Sequence, residues 1–169
     1  DCLLSRGLGD VYKRQAHYPY YRIHSSKTSE NYSTGLNELR KENRCEIVEI
    51  LNVSHAQTLQ MIQSSDIVIG KIMSNVGWFG KFELEGMALR KPVLAYVSDH
   101  LYEKYRPPIY RTTRETLKED VIRLMEDDDE INRLSNEGYE YVRKNHAIEN
   151  VITNVNKYCL LYTSDAADD

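Results

Sequence analysis

The chain has 169 residues, room for one domain of ordinary size. Hydrophobic residues make up 41% and charged residues 28%, which excludes a disordered polar segment, and no apolar run approaches the roughly 20 residues that cross a bilayer. A net charge of -4 excludes a broad basic field for nucleic acid and leaves an acidic cytoplasmic protein as the expectation.

At the amino end, the run Gly9-Asp10-Val11-Tyr12-Lys13-Arg14-Gln15 resembles a conceptual translation of sequencing adapter. The carboxyl-terminal run 159–169 does too, so residues 1–15 and 159–169 are set aside from fold reasoning. The natural body is then expected to be 16–158, with natural sequence missing on both sides.

Within that body, Tyr21-Arg22-Ile23-His24 predicts a short strand, followed by a polar loop over 25–31. A helix over 33–43 turns Leu36 and Leu39 inward, and 45–51 predicts a second strand. Ser54-His55-Ala56-Gln57 has the S-x-x-Q form of a capping box, starting a helix that buries Leu59 and Ile62 and ends before Asp66. Ile67-Val68-Ile69 is the third strand, and 91–96 contains the fourth. Between them a glycine-punctuated stretch runs into a helix over 82–89. Thr112-Thr113-Arg114-Glu115 is a second capping-box pattern, after which Leu117, Val121, Leu124 and Met125 line one helical face. Asp127 and Asp128 suit the cap and first turn of the next helix, which accounts for the acidic run 126–130 without a metal ion. Ile148, Val151, Ile152 and Val155 form a last apolar stripe.

Strands alternating with helices imply right-handed crossovers and a parallel sheet covered on both faces. Continuous apolar strands agree with that burial. The expected fold is therefore α/β, a three-layer Rossmann-like domain with a parallel sheet and a helical carboxyl-terminal end. Cysteines stand at 2, 45 and 159 without a CxxC pair, and five histidines are scattered without ligand spacing. Neither a disulfide framework nor a metal site is expected.

Open α/β sheets bind ligands beyond the carboxyl ends of their strands, near the switch in strand order. The segment to inspect is 70–89, after the third strand. Its glycines permit close backbone approach. A helix beginning near Gly80 or Lys81 would aim free amides and its positive end at a diphosphate. Glu85, about one turn along, could accept hydrogen bonds from sugar hydroxyls. Glu83 and Glu85, two residues apart on a helix, point in different directions, which argues against a two-carboxylate glycosidase. G-x-x-G before a helix occurs in many folds.

Two longer runs carry a family resemblance. Ser65-Asp66-Ile67-Val68-Ile69, then Gly77-Trp78-Phe79-Gly80-Lys81-Phe82-Glu83-Leu84-Glu85-Gly86-Met87-Ala88-Leu89-Arg90-Lys91-Pro92-Val93, resembles the carboxyl-terminal domain of group 1 (family 4) glycosyltransferases. That family carries an A-D-hydrophobic strand, an E-x7-E segment with an internal F-G, and an E-A-M-A-x-G-K-P-V junction. Asn52-Val53-Ser54-His55 is similar to the loop before its Y-x-x-A-D helix, and residues 138–146 to its usual ending. The resemblance spans about residues 46–157.

The resemblance implies a GT-B fold and metal-independent transfer from a nucleotide diphosphate-sugar, which is a substrate and not a cofactor. Glu85, the second glutamate of the motif, would bind ribose. The amides of Gly80, Lys81 and Phe82 would cradle the diphosphate, with Val53 near the base. Gly77 stands where the family's sugar-binding glutamate belongs, and Trp78 beside it matches a subset with a G-W-[YF]-G pattern, so an altered sugar contact is expected. Trp78 and Phe79 read equally as packing residues or as a stacking platform. Lys27 is the one candidate for the family's diphosphate-neutralising bases, and it reads equally as a solvated lysine. Losing one such contact would cost about 1.5–3 kcal/mol.

The expectation is thus a hexosyltransferase fragment for polysaccharide or glycoconjugate synthesis, inactive alone, whose partner is an amino-terminal acceptor-binding domain. The full-length protein could associate peripherally with a membrane. A UDP-sugar epimerase-like GT-B enzyme and a non-catalytic α/β interaction module are the rival readings.

Overall fold

The computed structural model describes residues 22–25, 33–42, 44–50 and 52–165. Five strands are present among them: β1 (Arg22–Ser25), β2 (Glu46–Glu49), β3 (Ile67–Ile69), β4 (Val93–Ala95) and β5 (Tyr110–Arg111). All pair in parallel, in the spatial order β2-β1-β3-β4-β5. Ile23 lies between Ile47 and Ile67, and Ile69 is registered on Leu94. The chain runs outward from β1 to β2, then crosses back to β3, so strand order switches between β1 and β3.

The described helices are α1 (Ser33–Lys41), α2 (His55–Gln63), α3 (Lys81–Ala88), α4 (Asp99–Tyr105), α5 (Leu117–Met125), α6 (Asp128–His146) and α7 (Ile148–Asp165). Side chains alternate across a strand, and this assigns each helix to a face. Ile67, Ile69 and Leu94 pack with Leu36 and Leu39 of α1 and Leu117, Val121 and Leu124 of α5. Val68, Val93 and Ala95 pack with Ile62 of α2 and Met87 of α3, against Tyr141 and Val142 of α6. The fold is mixed α/β around a parallel sheet with apolar clusters on both faces, as the alternating pattern predicts.

Several local expectations need correction. The strands β4 and β5 are separated by α4, and neither α4 nor β5 was legible: α4 buries no residue and β5 has two residues. Helix α3 begins at Lys81 with Gly80 as its N-cap, as the site reading expects, one residue before the 82–89 span. Leu59 is only half-buried, while Ile62 is fully buried. The box at Thr112 does not form. Thr112 Oγ1 instead donates to the buried Asp120 carboxylate at 2.8 Å, and the reciprocal pair forms one residue later, between Thr113 and Thr116. The box at Ser54 forms as read: Gln57 N–H donates to Ser54 Oγ and Ser54 N–H to Gln57 Oε1. Asp127 caps α6 by accepting from Glu130 N–H. Ile148, Val151, Ile152 and Val155 face outward, exposed at 41–68%. No helix among the described residues is long and apolar enough to cross a membrane.

Candidate functional site

Parallel strands put all their carboxyl ends on one edge, and the strand order sets the sequence of loops along it. Among the described residues these are, from one side, 52–54 after β2, 70–80 after β3, 96–98 after β4 and 112–116 after β5. Helix α3 starts from this edge because the loop after β3 is fastened to its first turn.

The fastening group is Glu83. Its carboxylate is fully buried; one oxygen accepts from Lys71 N–H at 2.5 Å and the other from Gly80 N–H at 2.9 Å. Gly80 is the N-cap residue and has no side chain to offer, so the glutamate three positions on caps its amide. Gly70 makes room for this arrangement, since a Cβ there would overlap the Glu83 side chain. A Cβ at Gly80 would lie 2.7 Å from Lys71 Nζ, so the lysine ammonium rests on the helix start. The N–H groups of Lys81, Phe82 and Glu83 have no acceptor among the described residues. They remain available at the positive end of α3.

Glu85 lies on the same helix, one turn beyond Lys81. Its side chain is 16% exposed, and its Oε1 is shared by His55 Nε2 at 2.7 Å and Lys81 Nζ at 3.5 Å. Oε2 has no donor among the described residues. His55 is the first residue of α2, so the contact joins the amino end of α2 to the middle of α3. Val53, 38% exposed, sits two residues earlier in that loop. Gly80, Lys81, Glu85 and the Val53 loop are therefore brought together.

The other predicted residues are placed differently. Phe82 is half-buried and packs against the α2–α3 cluster. Phe79 is 7% exposed and stacks on Trp78 at 4.2 Å between centroids, and Trp78 meets Tyr105 edge-on. Phe79 belongs to the apolar cluster around α2 and α3, and the half-buried Trp78 packs against it. Gly77 has φ +70, and a Cβ there would point at Ser98 Oγ, 3.3 Å away. Its carbonyl accepts from Ser98 N–H. The position is thus turned against α4 by a conformation that favours glycine. Lys27 lies outside the described residues.

Sequence reading missed His55, Glu83 and Lys71. Glu83 had a usable sign, an acid three residues after a helix-starting glycine. His55 is 30 positions from Glu85, and its contact is purely spatial. Among the described residues no three His, Cys, Asp or Glu side chains cluster as a metal site would require. No protein-family model matches the chain, and no curated protein matches it in sequence.

Proposed function

We propose that the chain is the donor-binding half of a GT-B glycosyltransferase, a three-layer Rossmann-like domain that works in the cytoplasm and takes a nucleotide diphosphate-sugar. One observation carries the reading. Glu85, a carboxylate with one oxygen unpartnered among the described residues, stands one turn along a helix whose first-turn amides, also without acceptors among the described residues, open at the carboxyl end of β3. That pairing suits a ribose hydroxyl beside a diphosphate, and it adjoins the switch in strand order where such ligands bind. Lys71 at the helix start and Lys81 beside Glu85 would supply the positive charge that the resemblance assigns to Lys27. The acceptor would be held by a separate domain, so the chain alone binds and does not transfer.

Calorimetry with UDP and GDP tests the reading. Binding by the wild-type chain that weakens about tenfold or more in Glu85→Ala is the expected result, the scale of losing a hydrogen bond to a charged group. Equal binding by both proteins removes Glu85 from the site.

One observation favours the non-catalytic interaction module as a second reading. The buried Glu83 carboxylate already places a negative charge at the amino end of α3, where a diphosphate would have to approach. Absence of any nucleotide binding would decide for it.

A further inference from the structure

The position that should grip the donor sugar is disabled in this chain by its own backbone. Gly77 is buried and adopts φ +70, with the direction of any side chain filled by Ser98 and Leu101. A sugar contact has to come from elsewhere on the carboxyl edge. Strand order limits where. With ribose at Glu85, beside His55 of the loop-and-helix after β2, and the diphosphate at Gly80 after β3, the line along the edge continues toward β4 and β5.

On that side a cleft of about 140 Å³ is lined by Ile72, Ser74, Tyr96, Thr113, Arg114 and Glu115. It is joined to the candidate site through the backbone: Ile72 follows Lys71, whose ammonium rests on Gly80 and whose carbonyl accepts from Tyr96 N–H, and its Ile72 and Tyr96 side chains lie on the α1–α5 face of the sheet. Arg114 Nε donates to Ile72 O at 3.4 Å, and the two remaining guanidinium nitrogens have no acceptor among the described residues. Ser74, Tyr96 and Thr113 add hydroxyls. The Glu115 carboxyl is held below its usual range by a hydrogen bond from its own amide and another from Thr113, so one anion balances one cation. A lining of hydroxyls, a guanidinium and a carboxylate with no net charge matches the donors and acceptors of a neutral pyranose. An aromatic ring gives it an apolar wall.

We propose that this cleft, and not position 77, holds the hexose of the nucleotide-sugar donor; the inference rests on the donor-binding reading above. The test uses the full chain and calorimetry with UDP, UDP-glucose, UDP-galactose, GDP and GDP-mannose. At least one neutral sugar nucleotide should bind about tenfold tighter than its bare diphosphate, the worth of roughly two net hydrogen bonds. Arg114→Gln and Tyr96→Phe should each reduce that gain and leave affinity for the bare diphosphate unchanged. Ser74→Ala, at an exposed turn position, should do the same with the fold intact. Diphosphate binding with no sugar-dependent gain for any of the three hexoses overturns the proposal and spares the donor reading. A gain that survives all three variants overturns it too. Failure to bind either diphosphate removes the donor reading, and this assignment with it.

Discussion

Glu83→Gln takes one acceptor away from a fully buried carboxylate that serves two backbone donors, Lys71 N–H and Gly80 N–H. The glutamine carbonyl can keep one of them, without the help of charge, and the other then meets an NH2 group. A buried donor left unsatisfied costs about 1–3 kcal/mol, and loss of charge assistance roughly 1 more. Relief from keeping a charge buried offsets part of this, so a net loss of roughly 2–3 kcal/mol is expected. Guanidinium unfolding reads it as a lower midpoint at unchanged slope. A second substitution isolates the cause. Gly70→Ala puts a Cβ into the space of the Glu83 side chain, an overpacking expected to cost about 1–3 kcal/mol. In a Glu83→Ala background that space is empty, so Gly70→Ala should become nearly neutral and the cycle should show a coupling of about 1–3 kcal/mol. Additive effects, or a Glu83→Gln midpoint equal to wild type, would refute the claim that this carboxylate ties the loop after β3 to α3.

Gly77→Glu, which introduces the glutamate of the glycosyltransferases the chain resembles, should lower stability by about 1–2 kcal/mol, because a side chain must enter the left-handed region, and under the proposed assignment it should add nothing to sugar binding. Arg106 ends α4 at φ 45 and ψ 49; Arg106→Gly should raise the melting midpoint by an amount worth roughly 1 kcal/mol, since its guanidinium lies 5.8 Å from the Tyr102 ring and contributes little. Burial pushes the Cys45 thiol up to about 11 from an ordinary 9.0. The unfolded chain therefore loses that proton first as pH rises, and the stability Cys45 contributes is complete below pH 9 and lost through 11, a fall of about 2 kcal/mol that should be missing from the pH profile of Cys45→Ala.

What was legible in the sequence was whatever one residue type or one spacing decides by itself. Ile67-Val68-Ile69 had to be a buried strand because three apolar residues in a row can satisfy both faces of a covered sheet. Ser54 and Gln57 had to cap α2 because both partners lie within one turn. The Thr112 pattern failed under a local competition that spacing does not rank: three hydroxyls stood within five residues, and the buried Asp120 carboxylate drew the first of them away. Helix α4 hid because it buries nothing and so has no stripe. In the candidate site the division is sharper. Glu85 was readable from its place on α3, but not its state, since the histidine that holds one of its oxygens comes from another helix. At position 77 the resemblance reads glycine as a missing glutamate, and so as a lost contact. The backbone shows a glycine held at φ +70 against Ser98, where a glutamate could be accommodated only with strain and would face α4. Residue type and turn at position 77 belong to one local structure, and for that reason the proposed hexose contact lies along the edge, at β4 and β5.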